Sequence, residues 1–526
     1  MKAFVTAGLL ILVMAFAGCG GNGGTPDTNN DTTTPDVAGD VIGDAGDDAV
    51  APEDTGRDNP GEDVLADAGD DTAQADASDV IATDEGAEIP VVPEPPHANC
   101  GMPAYDFVPP GELGTLVESE NISMLTLDAE TINTLLSNFD FSAMSPVPYG
   151  TVTYRFRYTT QDRGQQIEAT GLMAFPASTE PITEPLPILV YQHGTSGFSD
   201  PCAPSNEAYW FEDGALGPAV ASLGFVVIAP DYIGMNGWGA PSTVKHSYLV
   251  GEQAAIGAWD AVRGGLELFE SIEGHPPVSN DVVLWGISQG SHASLFTELW
   301  GGWYAPEFDV KAVVALVPPT DLLALLKTAL TSKSDSTGML AVAIVAMNLW
   351  YGEQADLDQM LTNEEPYFLA TEGPKYLFPT EECEISVGEG VDIEDLTIEA
   401  LFQPTLLDAI ATEDWPALAP WNCFFVENTL SSTSVVPPRH TPTLMVYGEI
   451  DDMVVTATQR PDFQKLCEAG YKLDYLECAN ASHARAALWS LPEQFQWIRD
   501  RLAGIPIPEE ELCEIQAPVT CSATAE

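Results

Sequence analysis

Basic side chains are scarce in this 526-residue chain: 18 Lys and Arg stand against 80 Asp and Glu, for a formal charge of −62. A surface of that sign is repelled by phosphate and has no counterions of nucleic acid to release, so nucleic-acid binding is excluded as a function class. The sequence contains no CxxC and no HExxH, which leaves zinc and dithiol redox chemistry without a ligand set or a reactive pair. No metal and no cofactor is called for. Two apolar runs, residues 3–16 and 339–351, are both shorter than the roughly 18 to 20 residues that a helix needs to cross a bilayer.

Large side chains are missing from residues 20–96, where Asp, Gly, Ala, Thr and Pro follow one another in irregular order with a net charge of −20. Such a segment buries too little apolar area to offset the entropy of ordering it, and its like charges hold it open. It reads as an acidic tether. Ahead of it, Met1-Lys2, the apolar run and the small residues Ala17-Gly18 read as a signal peptide over residues 1–18. The Cys19 that follows resembles the lipobox cysteine of bacterial lipoproteins, which would make it the lipidated first residue and tie the protein to a membrane surface; plain secretion is the alternative. Residues 97–526 carry a net −43 and every Trp, enough to build a large core. Apart from Cys19 the chain has eight cysteines: Cys100, Cys202, Cys383, Cys423, Cys467, Cys478, Cys513 and Cys521. An even set in an exported protein predicts up to four disulfides, and the proximity of Cys513 to Cys521 suggests a local bridge between them.

Residues 150–162 and 164–176 alternate polar and apolar around Arg163-Gly164, the pattern of an antiparallel pair. Compact apolar runs then recur at 188–191, 225–229, 282–285, 312–317, 443–447 and 473–476, most of them followed by helical stretches. Buried parallel strands have this composition, and the alternation predicts a doubly wound, mostly parallel α/β sheet. From residue 319 to 440 the sequence keeps a helical period without a strand run. This predicts a helical cap inserted after the sixth strand into a catalytic core of residues 97–318 and 441–526. The run at 339–351 becomes a cap helix, packed as core or in contact with an acyl chain.

Gly286-Ile287-Ser288-Gln289-Gly290 sits between an apolar β-run and a helical stretch. That context turns a weak GxSxG match into a nucleophile elbow, with Gly286 and Gly290 allowing the tight turn, Ser288 held above the sheet, and the Gln289 N–H as an oxyanion donor. A serine hydroxyl needs a base, and the base needs a carboxylate to set its tautomer. In the chain order Ser, acid, His, only His483 satisfies the requirement: His97, His193, His246 and His275 precede the serine, His292 lies within the nucleophile helix and His440 precedes the acid-bearing strand. In TPTLMVYGEIDDMVV the spacing G-x-x-D-x-x-V selects Asp451, with Asp452 as fallback and Val454 as anchor. After the third strand, His193-Gly194-Thr195 would supply the second oxyanion donor from the backbone of Thr195 or Ser196, Gly194 letting the chain turn.

Four segments carry a resemblance to the secretory lipase family of the α/β-hydrolase superfamily, spanning roughly residues 100–505. They are HGTSGFSDPCAPS from His193, GFVVIAPDYIGM from Gly224, HSYLVGEQAAIGAWDAVR from His246 and VLWGISQGSHASLF from Val283. The elbow departs from the family pattern at Ile287, where His or Tyr is usual, and at Ser291, where a second Gly is common. The resemblance implies that Ser288, Asp451 and His483 form the triad of a carboxylic ester hydrolase acting on small ester or lipid substrates, acylglycerols included. It also implies that Cys202 is bonded to a cap cysteine such as Cys383 or Cys423, and that Asp231 and Tyr232 are structural. Two rivals remain: a peptidase using the same triad, and an idle hydrolase fold serving as a surface binding module.

Overall fold

An apolar run whose side chains are buried on both faces can satisfy its backbone only by pairing on both edges, so the runs found in the sequence gather into one sheet. In the computed structural model, which describes residues 100–523 apart from 110, 139–145, 211–212, 353–354, 382, 384–385, 388–390 and 437–439, nine strands form that sheet. The expected signal peptide, Cys19 and the tether lie outside the described residues.

The strands are β1 (Leu116–Asn121), β2 (Gly150–Asp162), β3 (Gln165–Ala177), β4 (Leu186–Gln192), β5 (Val226–Pro230), β6 (Val278–Ile287), β7 (Asp309–Leu316), β8 (Thr443–Gly448) and β9 (Leu473–Cys478), in the order β1-β2-β3-β5-β4-β6-β7-β8-β9. The first three run antiparallel to their neighbours and the six from β5 to β9 are parallel. This is the α/β-hydrolase sheet that the sequence predicted, with one strand more. The extra strand, β1, went unread because its sequence LVESEN is polar and its residues are almost all exposed. It is an edge strand held by charge, Arg155 pairing with Glu120 at 2.5 Å and Arg157 with Glu118 at 2.6 Å. The expected insertion therefore follows the seventh strand in chain order.

Helices α1 (Ala129–Asn138), α2 (Leu216–Ala221), α3 (Gly251–Ser271) and α4 (Gln289–Tyr304) precede β7. Between β7 and β8 come α5 (Leu322–Thr331), α6 (Asp335–Trp350), α7 (Leu369–Tyr376), α8 (Ile398–Leu401), α9 (Pro404–Thr412) and α10 (Trp421–Glu427), together with a two-residue hairpin, Ser386–Val387 with Val391–Asp392, that no apolar run announced. Helices α11 (Thr456–Glu468), α12 (His483–Trp489) and α13 (Leu491–Leu502) complete the chain. In α6 every residue from Leu340 to Met347 is at most 4% exposed, so the apolar run of the insertion is packed core. No described helix is long and apolar enough to cross a membrane.

Four disulfides are formed: Cys100–Cys423, Cys202–Cys383, Cys467–Cys513 and Cys478–Cys521. The second is one of the two pairings that the resemblance implied. The expected local bridge between Cys513 and Cys521 is wrong, and the path of the tail explains why. Cys513 N–H donates to Leu473 O at 2.8 Å and Val519 N–H to Glu477 O at 2.9 Å, so the segment runs along β9 from its start to its end. Eight residues laid beside a strand carry the two cysteines apart, one to the end of α11 and the other to the end of β9.

Candidate active site

Strand order reverses beside β4: β5 lies on one side of it and β6 on the other. In an open parallel sheet the crevice beyond the carboxyl ends of the strands at such a switch point collects ligands, because the two connections leave in opposite directions. The 193–202 loop leaves the end of β4 and Ser288 leaves the end of β6, while Asp451 and His483 follow the ends of β8 and β9.

Ser288 occupies a turn that few residues tolerate, with φ 55° and ψ −113°, between β6 and the first residue of α4. Crowding shows why glycine flanks it. A Cβ on Gly286 would lie 2.0 Å from Gly290 O, and one on Gly290 would lie 1.8 Å from Gln192 O, so either would force β4, β6 and α4 apart. Ser288 N–H donates to Leu316 O at 2.8 Å, fixing the elbow to β7. The Ser291 hydroxyl serves the same cause: it lies 2.8 Å from Gly286 O and 2.5 Å from Leu316 O.

Asp451 and His483 are brought together. His483 Nδ1 lies 2.8 Å from Asp451 Oδ2, and the Asp451 side chain is 1% exposed. Its other oxygen accepts from Met453 N–H at 3.0 Å and Val454 N–H at 2.9 Å, so both carboxylate oxygens are engaged. Asp452 is exposed and has no part in this contact. Since Asp451 accepts, Nδ1 carries the proton and Nε2 is the free base; that atom is buried without a hydrogen-bond partner. The close approach of the two loops depends on Gly448, where a Cβ would lie 2.5 Å from Ala481 O. Glu449 N–H and Ile450 N–H then donate to Cys478 O and Ala481 O, both at 3.1 Å.

On the other side of Ser288 lies the loop that begins at His193. Its imidazole is buried, and burial pushes it down to about 4, so it is neutral at ordinary pH. Thr195 is half-buried and its hydroxyl lies 2.9 Å from Tyr248 OH. The expectation that Gly194 is needed for the turn does not hold, since a Cβ there would meet Ile287 O at an ordinary 3.5 Å. The indispensable glycine is Gly197, at φ +133°, where a Cβ would fall 2.2 Å from Cys202 Sγ and 2.6 Å from Cys383 Sγ. Asp231 is fully buried and accepts from Ser205 N–H at 2.9 Å and Thr170 Oγ1 at 2.6 Å, a structural role as expected.

Sequence reading passed over one neighbour. His246, set aside as a base on chain order, faces the Gln289 side chain with Nε2 2.8 Å from Gln289 Nε2. No spacing rule links positions 246 and 289, so only the fold reveals the pair. Among the described residues no group of three or more His, Cys, Asp and Glu side chains is arranged to hold a metal ion.

Comparison with known proteins agrees with the fold. The secretory lipase family model matches residues 213–368 and 419–510, on either side of a break within the insertion. Similar chains include a "probable inactive lipase" of Mycobacterium tuberculosis, 24% identical over 71% of this chain and 78% of its own length. Lipase 5 of Candida albicans is 24% identical over 62% of this chain and 67% of its own. Among solved structures, the ligand-bound rice cell wall degrading esterase LipA from Xanthomonas oryzae superimposes with a TM-score of 0.58 at 20% identity, covering 75% of this chain and 99% of that one. Candida antarctica lipase A in its closed state gives 0.53 at 15% identity, covering 77% and 86%. These likenesses support carboxylic-ester hydrolysis at the level of the family, and the disulfides suit an exported protein. The nine-stranded sheet, the serine elbow and the family match converge: the chain is similar to the secretory lipase family over just under half of its length, on an α/β-hydrolase fold.

Proposed function

We propose that the protein is an exported serine esterase or lipase, anchored through a lipid on Cys19 and held off the membrane by the 20–96 tether, with Ser288, His483 and Asp451 as its triad. The observation that carries the reading is the Asp451–His483 contact at 2.8 Å, made through Nδ1, while His483 Nε2 is buried without a hydrogen-bond partner. Ser288 Oγ attacks the ester carbonyl carbon as its proton passes to His483 Nε2. The imidazolium, stabilised by Asp451, returns that proton to the alkoxide that leaves as alcohol. Water then repeats the sequence on the acyl-enzyme and releases the carboxylic acid. The Gln289 N–H at the start of α4 and the Thr195 N–H, or that of Ser196, hold the oxyanion in both steps. The insertion of residues 319–440 acts as a cap over the acyl side, a role supported by Met339 Sδ lying 3.9 Å from Tyr248 OH beside Thr195.

The test is hydrolysis of p-nitrophenyl esters of graded chain length beside a peptide amide, with Ser288→Ala as control. The variant should lose several powers of ten in kcat while staying folded. Full activity in that variant would overturn the triad, and preferential cleavage of the amide would favour a peptidase. A relative named as inactive gives the binding-module reading its one support. Failure of the wild-type protein to label with a fluorophosphonate would revive it.

A further inference from the structure

The inference rests on the reading above and concerns what holds the two oxyanion donors in place. They come from different strands, Gln289 after β6 and Thr195 after β4, and each carries a side chain that is itself held. Both partners belong to one three-residue stretch. His246 Nε2 lies 2.8 Å from Gln289 Nε2, and Tyr248 OH lies 2.9 Å from Thr195 Oγ1.

The chemistry of the first contact is one-directional. His246 Nδ1 lies 3.2 Å from Ile233 O, which can only accept, so Nδ1 carries the ring proton and Nε2 is bare. The Gln289 amide therefore donates to it. This arrangement requires a neutral ring, and burial pushes His246 down to about 3. The ring stacks on Tyr232 at 5.5 Å, Tyr232 packs on His193 at 4.5 Å, and Tyr232 OH donates to His193 O at 2.8 Å, so the same histidine also braces the turn that leads into Thr195. The segment is itself anchored: Ser247 N–H donates to Gln253 Oε1 at 3.0 Å on α3. Gly234 is the residue that admits it, since a Cβ there would lie 2.2 Å from His246 N.

We propose that His246 and Tyr248 are positioning residues that set the spacing between the Gln289 and Thr195 backbone donors, acting on the transition state without touching substrate. An interaction of this kind is realised only when charge develops on the carbonyl oxygen, so its loss falls on kcat rather than KM.

The experiment compares His246→Ala, His246→Gln, Tyr248→Phe and Ser288→Ala in p-nitrophenyl ester hydrolysis, with active sites titrated by fluorophosphonate. Each folded variant is also tested for affinity toward a boronic acid that mimics the tetrahedral anion. His246→Ala is expected to lower kcat about 10- to 100-fold with KM within about twofold, and boronate affinity should fall in proportion. His246→Gln, whose amide oxygen can accept from Gln289, should recover most of that loss. Tyr248→Phe, which removes one oxygen, should lower kcat by about three- to tenfold, and it decides the matter if His246→Ala does not fold. An unchanged kcat in His246→Ala or Tyr248→Phe, with Ser288→Ala inactive, would overturn the positioning role alone. A loss explained wholly by fewer titratable sites would also overturn it, as the mark of a purely structural role. Activity surviving in Ser288→Ala would overturn the triad reading and this inference with it.

Discussion

The two sides of Ser288 are built by different means. On the proposed acid–base side, Asp451 and His483 follow adjacent parallel strands, β8 and β9, and a single glycine plus two backbone hydrogen bonds bring their loops into register. On the proposed oxyanion side, Gln289 and Thr195 contact His246 and Tyr248, Tyr232 braces the turn at His193, and a disulfide joins the 193–202 loop to the insertion. Both pairs follow the ends of adjacent parallel strands, but the first is joined by backbone contacts between its own two loops, whereas the second is also contacted by chain arriving from elsewhere. The first side is local and the second is distributed.

That contrast can be broken at Asp451. Asp451→Asn should cost about 10³- to 10⁴-fold in kcat, because the amide can no longer hold Nδ1–H and leave Nε2 as the base. Asp452→Asn should stay within about twofold of wild type; reversed magnitudes in ester hydrolysis would move the acid to Asp452. A smaller loss is expected at Gly448, where the Cβ of an alanine must push the Ala481 carbonyl away and separate acid from base. Gly448→Ala should lower kcat by about 10- to 100-fold with little change in KM, and wild-type kinetics would show that the glycine is dispensable.

The smallest effect separates the two sides by pH. His193, His246 and His292 are buried, and burial pushes them down to about 4, 3 and 4 from an ordinary 6.5. The unfolded chain takes up protons below pH 6.5 that the folded chain refuses, so the stability they contribute is full above that value and is lost as pH falls through it toward 4. Buried Asp231 and Glu252, pushed up to about 6 and about 7, act in the opposite direction, losing stability as pH rises. The useful quantity is therefore the difference between wild type and His246→Gln. Melting temperatures at pH 7.5 and 4.5 should fall less in the variant, and equal falls would remove His246 from the linkage.

The sequence was legible where a pattern is repeated locally. Six apolar runs and one alternating pair marked eight of the nine strands to within a few residues, and the G-x-x-D-x-x-V spacing picked out Asp451, the aspartate that meets His483. Legibility failed where contacts are long-range or polar. β1 is held by ion pairs rather than by an apolar face, the Gln289–His246 contact joins residues 43 positions apart, and the partners of Cys513 and Cys521 are set by the path of the tail. Gly197 was overshadowed by Gly194 because only the position of the Cys202–Cys383 bridge shows which of the two glycines has no room for a side chain.

The tail along β9 does more than join cysteines. Ala479 N–H donates to Val519 O at 2.8 Å, and Cys478 and Val519 form an isolated parallel bridge, so the outer edge of the last strand is already occupied. At the opposite edge β1 offers exposed carboxylates instead. A sheet with one margin covered and the other charged gives an incoming strand of a second molecule no easy template. The two C-terminal disulfides thereby also serve as clasps against edge-to-edge aggregation.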